Sequence, residues 1–406
     1  MADPAKLELL TRPAGEAGFQ IFEIDSHRAY WAYKPRRLPQ TEWEITAQPT
    51  GADGARHFVL KNLRQDSYLL LSSKEYYLWE YFDGRHSLEE IARDFHLAFG
   101  AFDYALIRGL LTKLHNCGVI EGQYLIDLRS SPAGASGRRW SRFFAWGLKK
   151  WRGLSFRLPQ ADRFCSILYE RGGFLLFHPL TFWASVAITV FAFTLALRSG
   201  PTAANFAYFI KERPVLMASV MLATVLLVSL LHVLFHALAC KAYDRRVREI
   251  GFFLLQGIVP TFYADVTDIF MSSRRVRVTV DLAGPMVEVV LGSVAILSAH
   301  ATSPGIEQAL LLGIGISLWE SALINLYPFN FLEMDGYNIL SDLLAMPMLR
   351  QQALALVPSL PQRLRSVKTI ERAEWLQIGY LALCLISVVI YLVVHVDAIS
   401  SLIRLA

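Results

Sequence analysis

Leu231-His232-Val233-Leu234-Phe235-His236-Ala237-Leu238-Ala239-Cys240-Lys241 closes a long apolar run and carries two histidines four residues apart. A helix returns to the same face after three or four residues, so both imidazoles stack on one side of one helix. Two protein ligands present themselves to a tetrahedral metal in this way. In the His-Glu-x-x-His pattern of zinc proteases, the residue after the first histidine is the glutamate that activates water. Here that position holds Val233. The stretch specifies a metal site in an apolar helix and omits its usual base.

The chain around it is apolar as a whole. Hydrophobic residues make up 54% of the 406 and charged residues 18%, with a mean hydropathy of +0.34. That excludes an ordinary soluble protein and implies several membrane spans. Charge and turn residues concentrate before about residue 165, whereas the long apolar runs follow residue 174. Five runs, at 174–197, 214–240, 279–300, 307–327 and 375–396, are long enough to cross about 30 Å of hydrocarbon. A sixth, 250–263, is too short and is interrupted by Gly257 and Pro260. It reads as a re-entrant or hairpin element, tolerated only where protein or a water cavity covers its backbone.

Basic clusters precede the first span, follow the second (Lys241, Arg245, Arg246, Arg248), precede the third (Arg274, Arg275, Arg277) and separate the fourth from the fifth (Arg350, Arg363, Arg365, Lys368, Arg372). All fall on one side if the N-terminus is cytoplasmic, as the positive-inside rule expects. The same rule accounts for the modest net charge of +5 without invoking nucleic acid. Met-Ala-Asp-Pro-Ala-Lys at the start lacks the basic and apolar regions of a cleavable signal peptide. The expected location is a bacterial-type inner membrane, crossed several times. Four cysteines without a Cys-x-x-Cys spacing argue against a disulfide framework.

The charged N-terminal part carries its own signals. Residues 57–71 read as a hairpin. Ser73 can cap a helix running to about Phe82, and Ser87 with Glu90 forms a capping box for a helix from Leu88 to about Phe99. A third helix, Tyr104 to about Asn116, ends at Gly118, and 119–128 could form a wing. The third helix has only Arg108 and Lys113 as cations, short of a DNA-recognition stripe. Over residues 40–128 this order resembles the small PqqD-like winged-helix domain, which in peptide-modifying systems binds a leader peptide along a strand edge. The resemblance implies a leader peptide as partner; a docking module without a peptide of its own is the alternative. Cations interleaved with Trp140, Phe143, Phe144, Trp146 and Trp151 then suit a segment lying on an anionic leaflet. The domains expected are 1–130 (soluble), 131–173 (basic aromatic linker) and 174–406 (membrane). The expected fold is mainly α: a polytopic helical membrane domain preceded by a small winged-helix-like α+β domain.

Ionisable side chains within spans are costly and therefore mark candidate sites. They are His232, His236, Glu288, Glu320 and, just past the fourth span, Asp335. Gly336 would permit a sharp turn aiming Asp335 back into the bundle. Two imidazoles and one carboxylate leave a fourth coordination position open, as in hydrolytic zinc sites.

From about residue 174 to 345 the chain resembles the site-2 protease family of intramembrane zinc metalloproteases. The blocks are His232-x-x-x-His236, Ile250-Gly251-Phe252 followed by Pro260-x-Phe262-Tyr263-x-Asp265, Leu282-Ala283-Gly284-Pro285, and Asn325-Leu326-Tyr327-Pro328 leading to Asp335-Gly336-Tyr337. The resemblance implies Zn2+ held by His232, His236 and Asp335, and a peptide or membrane-protein substrate. It implies Asn325 as a residue positioning substrate or an oxyanion, and a turn at Leu-Ala-Gly-Pro shaping the third span. It also implies a strand edge near Gly257, Pro260 and Phe262 for an extended substrate. Two departures stand out: Val233 replaces the glutamate, and the interval from Asn325 to Asp335 exceeds the family's by about two residues. Glu288 or Glu320 could serve as a relocated base, or each could be a packing carboxylate. The functions that follow are an intramembrane zinc protease with an unusual base, a pseudoprotease acting as peptide-binding adaptor or assembly factor, and a non-proteolytic zinc-dependent membrane enzyme.

Overall fold

The computed structural model describes residues 6–11, 20–25, 30–51, 54–100, 103–121, 155–198, 214–255, 259–329, 333–360 and 371–405. The chain is mainly helical and divides into two compact units, with the main boundary between Ala133 and Gly134.

In the first unit, β1 (Lys6–Thr11) and β2 (Gln20–Asp25) pair antiparallel. A second sheet holds β3 (Trp43–Ala47), β4 (His57–Asn62) and β5 (Ser67–Ser72) in that order, all antiparallel. The β4–β5 hairpin expected from 57–71 is present, with His57 opposite Ser72 and Asn62 opposite Ser67. Three helices follow: α1 (Ser73–Glu80), α2 (Leu88–Phe99) and α3 (Tyr104–Asn116). The cap of α1 is Ser72 rather than Ser73, because Glu75 three residues on completes a reciprocal capping box with it. Ser87 and Glu90 do the same for α2.

Helical periodicity sets the core of this unit. α2 buries Leu88, Ile91, Ala92 and Phe95, and α3 buries Ile107, Leu110, Leu111 and Leu114. Both sets follow the i, i+3, i+4, i+7 stripe of one apolar face. The stripes close on Leu60, Leu71, Leu78, Trp79 and Phe82. The Asn62 amide donates to the carbonyls of Cys117 and Gly118, tying β4 to the end of α3. Gly118 takes a left-handed φ of 67°, which ends the helix there. Ile120 makes one antiparallel bridge to Arg37; residues 124–128, expected to complete a wing, lie outside the described residues, as do 131–154 of the expected linker.

In the second unit, five helices among the described residues are long and apolar enough to cross a membrane, within 179–197, 222–242, 274–301, 306–326 and 372–393. They belong to α5 (Pro179–Arg198), α6 (Pro214–Ala242), α7 (Arg274–Ala301), α8 (Ile306–Leu326) and α11 (Arg372–Leu405). The expected spans agree within a few residues at most ends. The first begins later than 174, because Gly173–Phe177 forms a 3-10 turn and Pro179 opens the helix. The described end of the expected linker folds onto this unit: β6 (Ser155–Arg157) pairs with β7 (Glu249–Leu255), which pairs with β8 (Val259–Asp265). Run 250–263 is therefore an antiparallel hairpin within a three-stranded sheet. After β6, α4 (Ala161–Glu170) is held by Asp162, which accepts from the Val247 amide and pairs with Lys241.

α7 is the most enclosed of the spans and packs against α5, α6, α8 and α9 (Asp335–Leu344). Glycines make this possible. A Cβ at Gly292 would lie 2.9 Å from the Gly315 carbonyl of α8, so the two backbones touch. Leu-Ala-Gly-Pro does not form the expected turn: α7 runs unbroken through it with Pro285 inside. Closing the fold, α10 (Leu349–Leu356) packs with α11 around Met346, Leu349, Tyr380 and Cys384.

Candidate metal centre

Two helices bring three donors to a single point. α6 supplies His232 and His236, one turn apart, and the N-terminus of α9 supplies Asp335. The two Nε2 atoms lie 3.0 Å apart. His232 Nε2 is 3.2 Å from Asp335 Oδ2, and His236 Nε2 is 3.5 Å from Asp335 Oδ1. Separations of 3.0–3.5 Å are close to those of tetrahedral ligands around an ion with bonds of about 2.0–2.2 Å. The donor set therefore fits a divalent metal. The longer interval from Asn325 does not displace the carboxylate from the imidazoles.

The far side of each ring is also occupied. Nδ1 of His232 lies 2.8 Å from Glu288 Oε1, and Nδ1 of His236 lies 2.7 Å from the Val280 carbonyl. Both partners are acceptors, so each neutral ring donates from Nδ1 and turns the lone pair of Nε2 toward the shared point. Glu288 in turn accepts from the Asn325 amide, at 3.3 Å to either oxygen. Glu288 is only 2% exposed, a burial tolerable because both oxygens are hydrogen-bonded.

α7 forms the wall behind the donors, and Gly284 is where it touches them. A Cβ there would lie against His236 Nε2 and 2.6 Å from His232 Nε2. Gly336 serves close packing too. A Cβ on it would collide with the Leu326 carbonyl and come 2.9 Å from the Tyr327 amide, so the start of α9 lies tight on the end of α8. In place of the expected sharp turn, Gly336 is the second residue of a helix.

The remaining candidates separate cleanly. Glu320 is exposed on α8 and, among the described residues, makes no hydrogen bond or ion pair to the histidines. Glu288 lies behind His232 rather than beside the open side of the donors, so it orients a ligand. Asn325 holds Glu288. Val233 is buried in an apolar cluster with Ala161, Cys165, Ala237 and Cys240, against which Phe262 also packs. Burial in that cluster pushes the Cys165 thiol up to about 11, keeping it a neutral packing group. Cys240 approaches the Arg246 carbonyl at 3.5 Å and belongs to the same cluster. Gly257 lies outside the described residues, and Pro260 of β8 pairs opposite Leu254 of β7. β8 is an edge strand, where a missing amide is tolerated. Asp265 ends β8 and accepts from the Thr267 amide, and Asp268, in the 3-10 helix Thr267–Met271, accepts from the Arg246 amide.

One further buried carboxylate stands on α7. Asp281 on α7 is 8% exposed and lies within electrostatic reach of Asp335, Asp342 and Arg277. Its spacing to Gly284 and Glu288, three and seven residues on, is the signal that could have found it.

No family model, no curated protein and no solved structure matches the chain.

Proposed function

We propose that this chain is a membrane-embedded, zinc-metalloprotease-like protein that takes a peptide or a membrane-protein segment at the His232, His236 and Asp335 centre. One observation carries the reading: both Nδ1 atoms are held by acceptors while both Nε2 atoms and the carboxylate converge. Buried ionisable groups in a membrane helix are costly, and such an arrangement has little use apart from an ion. Zinc held by these donors would supply Lewis acidity at a coordination position left open. Glu288 and the Val280 carbonyl fix the ring orientations, and Asn325 fixes Glu288. The outer edge of β8, which packs against α6, is the element suited to hold an extended segment near the centre.

The basic ends of α6 and α7 favour a cytoplasmic position for that side, and with it a cytoplasmic N-terminus in an inner membrane of bacterial type. The arginines near the start of α7 join it to the end of α9, through Arg277 to Asp342 and Arg274 to the Leu343 carbonyl. A PqqD-like role for the first unit, holding a leader peptide on a sheet edge, belongs to the same proposal.

A second reading has its own support. Val233 is packed among apolar groups where the family's base would stand, which favours a pseudoprotease that binds a peptide without cutting it. The decisive measurement is metal content of the full-length protein purified from membranes. About one zinc per chain is expected, lost in His236→Ala and Asp335→Ala; equal metal content in all three would sink the proposal. With metal established, a single-span reporter cleaved by the native chain but not by His236→Ala marks a protease. A reporter bound but left intact marks the adaptor.

A further inference from the structure

We infer that Asp281 is the proton-accepting group of this centre, standing in for the carboxylate that position 233 lacks. The inference rests on the metal-centre reading and adds a residue that the resemblance does not supply.

Two contacts fix where Asp281 lies. α7 and α9 run antiparallel, because Arg277 pairs with Asp342 while Gly284 faces the imidazoles that hold Asp335. The Arg277–Asp342 pair is close and multidentate, with Nε 2.9 Å from both oxygens and Nη2 2.8 Å from Oδ1. Asp281 is four residues from Arg277 and three from Gly284, hence about 6 Å and about 4.5 Å along the axis from each. It also shares an azimuth with Glu288, seven residues on, which reaches α6 at His232. Asp281 thus stands between the ion pair and the donor cluster, one turn from the point where the Nε2 atoms meet.

Asp281 is also free for the task. It is nine-tenths buried, and among the described residues no hydrogen bond or salt bridge engages its carboxylate. Glu288, by contrast, is spent on His232 and Asn325. Pro285 has no amide, so the Asp281 carbonyl lacks its usual helical donor, adding a second acceptor at the same level. The Asp335 charge acts on the Asp281 carboxylate, and with the unsatisfied carbonyl this gives a polar level on α7 able to hold a water.

Charge balance points the same way. The charged groups acting on Asp281 are Asp335 and Asp342 from α9 and Arg277 from its own helix. With a divalent ion seated, both rings neutral, and Asp281, Glu288, Asp335 and Asp342 ionised against Arg277, one unit of negative charge is left over. A single proton cancels it. In a low-dielectric interior that surplus makes one carboxylate a proton acceptor. Of the four, Asp281 is the one whose carboxylate makes no hydrogen bond or salt bridge among the described residues, with Arg277 acting on it through space alone.

The test uses full-length protein in detergent loaded with Co2+, whose visible spectrum reports on the donors without any substrate. Native protein is expected to show a pH-dependent spectral change. Asp281→Asn should keep Co2+ affinity within about threefold yet displace or abolish that change, by roughly one pH unit or more, as loss of a nearby charge does. Asp281→Glu should restore it, and Asp281→Ser, smaller and neutral, should repeat the Asn result if Asn fails to fold. An unchanged pH profile in both neutral variants overturns the inference alone. Loss of Co2+ from both overturns it as well, by making Asp281 a ligand. Native protein that binds no Co2+ overturns the metal reading first and this inference with it.

Discussion

Gly284→Ala tests the centre with the smallest change available, one methyl group. The added Cβ would lie 2.6 Å from His232 Nε2 and closer still to His236 Nε2. A zinc–nitrogen bond is about 2.0–2.1 Å, so the methyl takes the volume an ion would need. The rings can yield only by turning, and turning gives up the Nδ1 contacts at 2.8 Å to Glu288 and 2.7 Å to Val280. A bond to a neutral acceptor contributes about 1 kcal/mol and one to a carboxylate about 2 kcal/mol. Together that is about 3 kcal/mol, or roughly 100-fold in affinity. Lost coordination adds to this, so 100-fold is a lower bound. The assay is Zn2+ affinity of the full-length protein by competition with a chelating dye. Gly379→Ala is the matched control: it lies on membrane helix α11, and nothing stands within 4 Å of its added methyl. The control should bind Zn2+ like the native chain. A Gly284→Ala variant that stays folded and holds Zn2+ within about threefold of native affinity would refute the geometry described for the centre.

Glu288→Gln keeps the size of the side chain and removes the charge behind His232, so Zn2+ affinity should fall about 10- to 100-fold, read in the same competition assay. Breaking the Arg277–Asp342 pair with Arg277→Met leaves a carboxylate uncompensated; thermal stability in detergent should drop by about 3 kcal/mol, with much of it recovered in Arg277→Met/Asp342→Leu. In the first unit, burial alone would raise the pKa of Glu75, but the hydrogen bond and charge of Lys113, with the Ser72 donors, outweigh it and hold the carboxyl below 4.5. A lowered folded value means stability that is present above the unfolded pKa and lost as pH falls through the folded one. Hydrogen exchange of α1 should therefore quicken below about pH 4.5. Lys113→Ala should quicken it already at pH 7, by about fivefold for roughly 1 kcal/mol, and blunt the acid dependence, since Lys113 is half exposed.

Features set by local chemistry are legible in the sequence, and those set by contacts between distant segments are not. The i, i+4 histidines and the apolar runs need only helical period and length. Ser87 with Glu90 needs only the capping box, and α2 and α3 end where Gly100 and Gly118 take left-handed φ values of 69° and 67°. β3 escapes because Trp43–Ala47 is short and takes its strand character from pairing with β4. β6 escapes because three residues become a strand only against β7. Within the centre, the sequence offers intramembrane carboxylates as interchangeable candidates. Packing distinguishes them, leaving Glu320 exposed on α8 while Glu288 stands behind His232.

Gly284 and Gly336 show the same limit from the other side. Gly336 reads as a turn residue from its conformational freedom, and Gly284 as part of a turn that the resemblance implies. Each is instead helical and keeps space open: one for the imidazoles, the other for the end of α8. A glycine required by a neighbour's bulk looks, in one dimension, like a glycine required by its own backbone. Asp281 escapes for a related reason. It sits where a charged loop passes into an apolar span, and carboxylates are ordinary at such borders. α7 begins at Arg274, however, so Asp281 is two turns inside the helix rather than at its edge. That shift of a few residues turns a boundary aspartate into a buried one.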